Sequence, residues 1–384
     1  MPKKKAPKAV PKTPMTKKQL SRHQKEQRQQ RLAIAFVAAV VVLIVGVLGF
    51  GLFRELIYIP SRPIAVVNGV TIPVSTYARV MAFRQLILDQ QLNFYESQAA
   101  YVQDANQQMF LQFQQQQLQN MRLNLGMQVP EDLIDEELIR QEAVKRGLTV
   151  TAADVEALLA KSFTQPASTT TATTTIAGAA TATPVPTPNW QEDYKQYLAA
   201  FGISDADYRK LVVQPQVYRE KLGASIGAGV PTTAEQVHVR HILTDTYQAA
   251  LEIVKLLQAG GDFATLAAQH STDSATKDTG GDMGWRPRGI ESADFDQAVF
   301  ALQPGQISAP ITTTNGVQIV KLDERESNRP LEASHLETFQ SKAFNNWLEE
   351  AKKGSGVQRA IDSEKMAWAT KQAAAINSRV KTRQ

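Results

Sequence analysis

The chain has 384 residues, of which 43% are hydrophobic and 21% charged, so it can bury a core and has room for two or three domains. The absence of cysteine excludes disulfides, zinc–thiolate sites, iron–sulfur clusters and a cysteine nucleophile. The formal net charge of +5 is uneven, because residues 1–31 contain eleven Lys or Arg and a single acid, Glu26. The remaining chain has a net charge of −5, which argues against a nucleic-acid-binding body.

Residues 32–53 form an uncharged apolar run directly after this basic arm. As a helix the run would be about 33 Å long, which matches the ~30 Å hydrocarbon core of a bilayer. A signal peptide has a shorter apolar stretch and a small-residue cleavage site, and a basic arm argues against a buried core helix. We therefore predict a single-pass anchor in the cell membrane. Because basic segments stay inside, the N-terminus is expected in the cytoplasm and residues 54–384 outside it.

Residues 61–163 predict a hairpin followed by helices. Two apolar runs flank Asn68-Gly69, which is a strong signal for a tight hairpin turn. Over residues 76–126, apolar residues recur at helical spacing and Gln fills most of the polar face. This spacing favours helices over the competing interpretation, a prion-like segment of low complexity.

The same region carries further helix signals. Pro130 is expected to open a new helix, which Gly147 ends. Thr151 and Asp154 have the spacing of a capping box and predict a helix over residues 152–162.

The rest of the chain changes character several times. Residues 164–188 contain no charged residue and are mostly Thr, Ala, Ser and Pro, which predicts a disordered insertion. Helices are expected to resume over 189–230. Residues 233–325 alternate strand and helix signals, and 330–384 predict one long helix with a tail that is helical at best.

Residues 233–325 also carry motifs in a characteristic order. They are Val239–Leu243 (VRHIL), Gly260–Ala267 (GGDFATLA), Gly280–Trp285 (GGDMGW), Phe295–Phe300 (FDQAVF) and Pro304–Ile311 (PGQISAPI). Together they closely resemble the parvulin (PpiC or rotamase) family of peptidyl-prolyl isomerases over some ninety residues. The resemblance implies an α+β fold, with a four-stranded antiparallel sheet wrapped by helices.

The flanking segments carry a second resemblance. Ala65–Gly69, Leu133–Gly147, Thr151–Val155 and the approach Pro231–His241 are similar to SurA- and PrsA-like extracytoplasmic foldases. This implies an all-α chaperone domain, in which the N-terminal helices pack with the helix that follows the parvulin domain.

The parvulin resemblance implies that His241, Asp273, Thr313 and Gln318 form the catalytic centre. On strand spacing alone, His241 lies on the same strand face as apolar residues, as a buried core histidine would. For Asp273, the alternative is an ordinary acidic residue in a loop. His238 and His241 fall on opposite strand faces, which argues against a shared metal. Gln318 stands where the family usually has a second histidine, although an amide still donates and accepts hydrogen bonds.

The substrate pocket is likewise implied by resemblance. Met283 and Phe295 match the apolar wall that receives the proline ring. Glu291 stands where a methionine is usual, with Ile290 beside it, and Asn315 lies in the turn close to the catalytic threonine.

We therefore expect a foldase that isomerises X–Pro bonds in unfolded or newly translocated polypeptides. Two alternatives stay open: a holdase chaperone whose parvulin domain only binds peptide, motivated by Gln318 and Glu291, and a scaffold of a membrane complex. The expected partners are such polypeptides and, through residues 32–53, the lipid bilayer. No cofactor, metal or nucleic acid is expected, and the sequence leaves the oligomeric state open.

Overall fold

The structure is a computed structural model that describes residues 17–164, 189–354 and 356–382. Most of the predicted basic arm (1–16) and of the predicted insertion (165–188) lies outside the described residues.

The predicted anchor is helical throughout. Helix α1 (Lys17–Phe53) leads into a π-helical turn (Arg54–Tyr58) and a short helix α2 (Ile59–Ser61). The side chains of residues 32–53 are all exposed, which is unlike a core helix. By length and composition, Arg31–Ser61 is able to cross a membrane.

A helical body surrounds the predicted hairpin. Its first elements are β1 (Pro63–Val67), β2 (Val70–Pro73), α3 (Val74–Ala99), α4 (Ala105–Lys145), α5 (Ala152–Thr164), α6 (Trp190–Phe201), α7 (Asp205–Tyr208) and, after a π turn at Arg209–Val213, α8 (Gln214–Gly227). The hairpin prediction is confirmed, because β1 and β2 pair antiparallel and Asn68 and Gly69 both have positive φ, 49° and 83°.

The predicted cap of α5 is also confirmed. The backbone N–H of Thr151 donates to Asp154 Oδ2 at 2.7 Å, and the Asp154 N–H donates to Thr151 Oγ1 at 3.2 Å. The two residues thus satisfy each other's backbone donors at the helix start. The helical segment predicted over 76–126 has a break after Ala99, and Asp104 caps α4 by accepting from the Gln107 N–H at 2.9 Å.

The prediction that Pro130 opens a helix is wrong, because α4 continues through it as one helix of 41 residues. Proline has no N–H, so it leaves the carbonyl four residues earlier without its helical partner. That carbonyl belongs to Gly126, and the buried Tyr77 hydroxyl donates to it at 3.0 Å. A side chain from α3 therefore compensates for the break that the sequence pattern predicts.

A sheet domain follows the helical body. Its elements are β3 (Thr233–Thr244), α9 (Tyr247–Gln258), α10 (Phe263–His270), a 3₁₀ turn (Lys277–Thr279), β4 (Asp282–Pro287), α11 (Ala293–Val299), β5 (Ile311–Thr313) and β6 (Gly316–Pro330). The strand order is β4-β3-β6-β5 and every pairing is antiparallel, which confirms the expected four-stranded sheet. The closing strand β6 is 15 residues long.

The C-terminal segment returns to the helical body. It consists of α12 (Ala333–Lys353), β7 (Val357–Arg359) and α13 (Ser363–Lys381). Strand β7 pairs with β1, α12 packs against α4 and α8, and α13 lies along α3. Ala369 and Ala373 of α13 are fully buried. The expected loosely helical tail is thus part of the core, and the sheet domain is an insertion into the helical body.

Helix α13 also holds the end of the apolar N-terminal helix. Glu364 accepts from Arg54 and from Arg62, the latter at 2.9 Å. The Trp368 indole N–H donates to the backbone carbonyl of Glu55 at 3.1 Å, and Lys371 donates to its carboxylate at 2.7 Å. The membrane-length helix therefore joins the body through a packed contact.

Candidate active site

His241 occupies the middle of the sheet domain. It lies on β3, between β4 and β6, and its side chain is buried. Its backbone N–H donates to the Gly281 carbonyl at 2.8 Å. A Cβ on Gly281 would lie 2.2 Å from the His241 carbonyl oxygen, and its φ of +79° is also unfavourable for other residues. Close backbone packing therefore fixes the strand that carries the histidine.

One side of the His241 ring faces a carboxylate. Nε2 lies 2.9 Å from Asp273 Oδ2 and 3.0 Å from Thr276 Oγ1. Thr276 Oγ1 donates to the same carboxylate oxygen at 2.5 Å. Hydrogen bonds from Thr276, His241 and the Ala275 N–H lower the pKa of Asp273 to about 2, although partial burial acts in the opposite direction. Asp273 is therefore an anion at neutral pH.

The other side of the ring faces Gln318 of β6. His241 Nδ1 lies 3.1 Å from Gln318 Oε1, and Gln318 Nε2 donates to Thr313 Oγ1 at 3.4 Å. Thr313 in turn donates to the Gly316 carbonyl at 3.0 Å. The structure thus brings the four predicted catalytic residues into one chain of hydrogen bonds, and their catalytic role stays a prediction.

The predicted pocket residues differ in exposure. Phe295, on α11, is fully buried among Val299, Ile311 and Val320, with the partly buried Met283 packed against this cluster. Phe295 is therefore a core side chain, and its role beneath a bound proline ring stays a prediction. The other three members are the partly buried Ile290 and Glu291 and the exposed Asn315.

Glu291 has a partner of its own. Its Oε1 lies 3.6 Å from Arg286 Nε, which is an ion pair where the family usually has a methionine. Arg286 Nη1 also lies 3.3 Å from Nε2 of the buried His335 of α12. Burial, followed by the charge of Arg286, lowers the pKa of His335. The Glu291 loop is thereby connected to the helix that joins the sheet domain to the helical body.

Comparison with known proteins identifies the sheet domain. A family model described as the PPIC-type PPIASE domain (rotamase) matches residues 235–324. The foldase protein PrsA of Caldanaerobacter subterraneus subsp. tengcongensis is 29% identical over 244 residues, which are 62% of this chain and 72% of the relative. This chain carries a parvulin-type domain. Residues 235–324 are its peptidyl-prolyl cis-trans isomerase domain.

Two further relatives of this chain cover smaller parts. The chaperone SurA of Methylobacillus flagellatus is 32% identical over 155 residues, 36% of this chain and 35% of the relative. The solution structure of NmPin, the parvulin of Nitrosopumilus maritimus, is 32% identical, with a TM-score of 0.22. It covers 25% of this chain and 100% of that chain. The matches thus span the whole of one relative but about a third of another.

Two residues of the parvulin site were not predicted from the sequence. Thr276 contacts both His241 and Asp273, and Ser271 Oγ accepts from the Leu243 N–H at 3.1 Å and from the Asp273 N–H at 3.3 Å. Ser271 thus attaches the loop that carries Asp273 to strand β3. The three-residue spacing between Asp273 and Thr276, typical of local side-chain turns, is the signal that points to Thr276.

His238 belongs to a separate cluster of the parvulin domain. Its Nε2 lies 3.1 Å from Asp282 Oδ1, and its ring centre lies 5.4 Å from that of Trp285. The two histidines of β3 therefore have different partners, as the alternation of a strand requires.

Proposed function

We propose that this chain is a membrane-anchored isomerase and chaperone that acts on X–Pro bonds of unfolded polypeptides outside the cytoplasm. The observation that carries the proposal is the chain of hydrogen bonds from Asp273 through His241 and Gln318 to Thr313. It lies in a domain of the parvulin family.

Prolyl isomerisation needs no covalent step. The X–Pro bond must twist out of its planar resonance form against a barrier of ~18–20 kcal/mol. An apolar floor at Met283 and Phe295 suits the proline ring. A preorganised polar network at His241 and Asp273 favours the twisted amide over the planar one, because its donors and acceptors need no reorganisation during the reaction.

The α3–α4 hairpin suits the proposed chaperone activity. Residues 92–127 contain three charged residues, Glu96, Asp104 and Arg122. Their exposed large hydrophobic side chains are Phe94, Tyr101, Met109, Phe110, Phe113, Met121, Leu123 and Met127. Flexible methionines and aromatic rings interspersed with Gln form an adaptable surface, which fits unfolded chains of varied sequence.

The proposed location rests on the N-terminal segment. The helix across residues 32–53 has the length and composition of an anchor. The basic residues before it favour an N-terminus in the cytoplasm, and with that orientation the parvulin domain lies on the other side.

The test is cis–trans exchange of short X–Pro peptides, measured by NMR with the full chain in detergent micelles. We expect acceleration that is lost in His241→Ala. His238→Ala is the matched control, because it removes a histidine from the opposite face of the same strand, and it should keep the activity. A chain that binds peptides but accelerates none of them would favour the holdase alternative, for which Gln318 and the Glu291–Arg286 pair are the specific observations.

A further inference from the structure

The loop 288–292 connects β4 to α11 and carries Glu291 of the predicted substrate pocket. Near the end of β4, Arg286 lies opposite Val237 of β3, so the two side chains lie on one face of the sheet. By the alternation of a strand, His241 lies on that face too. The loop therefore begins on the side of the sheet that holds the candidate catalytic centre.

The middle of this loop, Gly289, is held from two sides. Its N–H donates to Asp296 Oδ2 of α11 at 2.7 Å, and its carbonyl accepts from Lys342 of α12. The Phe339 ring of α12 packs beside it, 3.4 Å from the position that a Cβ on Gly289 would take. The backbone of the loop is therefore in contact with a helix of the sheet domain and with the helix that follows that domain.

A buried histidine of α12 contacts the residues on either side of Gly289. His335 Nε2 lies 3.3 Å from Arg286 Nη1, and because arginine only donates, this ring nitrogen is the acceptor. Arg286 Nε in turn lies 3.6 Å from Glu291 Oε1. His335 thus reaches the pocket residue Glu291 through a single intervening side chain.

Helix α12 uses opposite faces for this loop and for the helical body. His335, Phe339 and Lys342 are spaced as i, i+4 and i+7, so they lie on one face of the helix. Phe344 and Leu348 belong to the core of the helical body and lie about half a turn around α12 from that face. There the helix packs against α4 and α8. One helix therefore connects the core of the helical body to the loop of the predicted pocket.

We propose that His335 and Lys342 are positioning residues of the isomerase site, through which the helical body fixes the loop 288–292 and one wall of the substrate pocket. This inference deepens the proposed function and rests on it for its effect on catalysis. The effect should fall on substrate binding, because the hydrogen bonds of His241 do not involve this loop. Loosening the loop should therefore change KM more than kcat.

The position of the loop is measured without reference to activity. Hydrogen exchange of the full chain in micelles, followed by mass spectrometry, reports the amides of residues 288–292. In Lys342→Met we expect these amides to exchange about three to ten times faster, because one backbone contact of Gly289 is lost. Lys342→Arg keeps a donor and should resemble the unmodified chain. Lys353→Met is the control, because it removes a lysine of the same helix whose partner is Glu350. Unchanged exchange in Lys342→Met would overturn the role of Lys342.

Peptide kinetics test the effect on the pocket. NMR exchange at varied concentrations of an X–Pro peptide gives KM and kcat for the full chain in micelles. Lys342→Met and His335→Leu should each raise KM about threefold to tenfold and change kcat by less than about twofold. His335→Gln keeps an acceptor and should retain the KM of the unmodified chain.

Two outcomes would overturn the proposal: an unchanged KM in both variants, or a loss confined to kcat. Lys342 is exposed, so Lys342→Met decides the question even if His335→Leu does not fold. An unmodified chain that accelerates no peptide would refute the proposed enzyme. The amide exchange of the loop and the Kd of the same peptide would then decide this inference.

Discussion

Tyr77 donates a hydrogen bond to the carbonyl of Gly126, the carbonyl that Pro130 leaves without a partner inside α4. The contact joins α3 to α4 and lets one helix continue through a proline. A long helix that would be kinked or interrupted in isolation is thereby stabilised by tertiary packing.

Removing this hydroxyl should destabilise the helical body. In Tyr77→Phe the ring stays buried but the partly buried Gly126 carbonyl loses its donor, which costs about 0.5–1.5 kcal/mol, the contribution of a typical hydrogen bond. Denaturant unfolding followed by far-UV circular dichroism measures the loss. Tyr101→Phe, on the exposed hairpin, is the control and should be neutral. Equal stability of the two variants would contradict the role of Tyr77.

A second prediction concerns the strand that carries His241. In Gly281→Ala the new Cβ would overlap the His241 carbonyl, so we expect the parvulin domain to be strongly destabilised and isomerase activity to be lost. Gly305→Ala is the control, because Gly305 has a similar φ of +87° but open space around its Cβ position. It should cost about 1–2 kcal/mol of backbone strain and keep the activity. Similar losses in both variants would show that strain, and not the contact with His241, decides the outcome.

The low pKa of Asp273 predicts a pH dependence. Its folded-state pKa of about 2 lies below the ordinary value of 3.8, so its stabilising contribution is complete above pH 3.8 and is lost as the pH falls towards 2. Thr276→Val removes the largest cause of the shift and should move this loss to higher pH. Thr276→Ser keeps the hydroxyl and should resemble the unmodified protein. The carboxyl chemical shift of Asp273 across an acid titration measures its pKa in the two variants. An unchanged Asp273 titration in Thr276→Val would contradict the role of the Thr276 hydroxyl.

The buried face of α13 predicts a position-specific effect of larger side chains. Ala373 is fully buried, whereas its neighbour Ala374 is exposed. We expect Ala373→Leu to destabilise the helical body by about 1–3 kcal/mol through overpacking, and Ala374→Leu to be nearly neutral. Thermal unfolding of the two variants compares them directly. If both are neutral, the last helix does not pack in the core.

The exposed hairpin predicts a separation of the two proposed activities. The double substitution Phe110→Gln and Phe113→Gln should weaken the suppression of aggregation of an unfolded model protein while leaving peptide isomerisation unchanged. Leu256→Gln is the control, because it removes an exposed apolar side chain from the parvulin domain. Full retention of suppression in the double variant would place client binding elsewhere.

The sequence predicts those features that depend on interactions between residues close together in the chain. The turn at Asn68-Gly69 and the reciprocal cap of Thr151 and Asp154 depend on neighbouring residues, and both form as predicted. The apolar run 32–53 is helical, and its place in a membrane stays a prediction. The order of the motifs in the sheet domain also identified its family. The resemblance predicted that His241 and Gln318 lie in one site, and the two side chains are in contact in the structure.

The tertiary structure decided what depends on distant partners. Pro130 stays inside a helix because Tyr77, on another helix, satisfies the freed carbonyl. The C-terminal tail is ordered because α13 finds a complementary face on α3, and Thr276 joins the site because a turn brings its hydroxyl to His241. Side-chain periodicity identifies the face that each element buries, but the partner that covers it is set by packing between residues far apart in the chain.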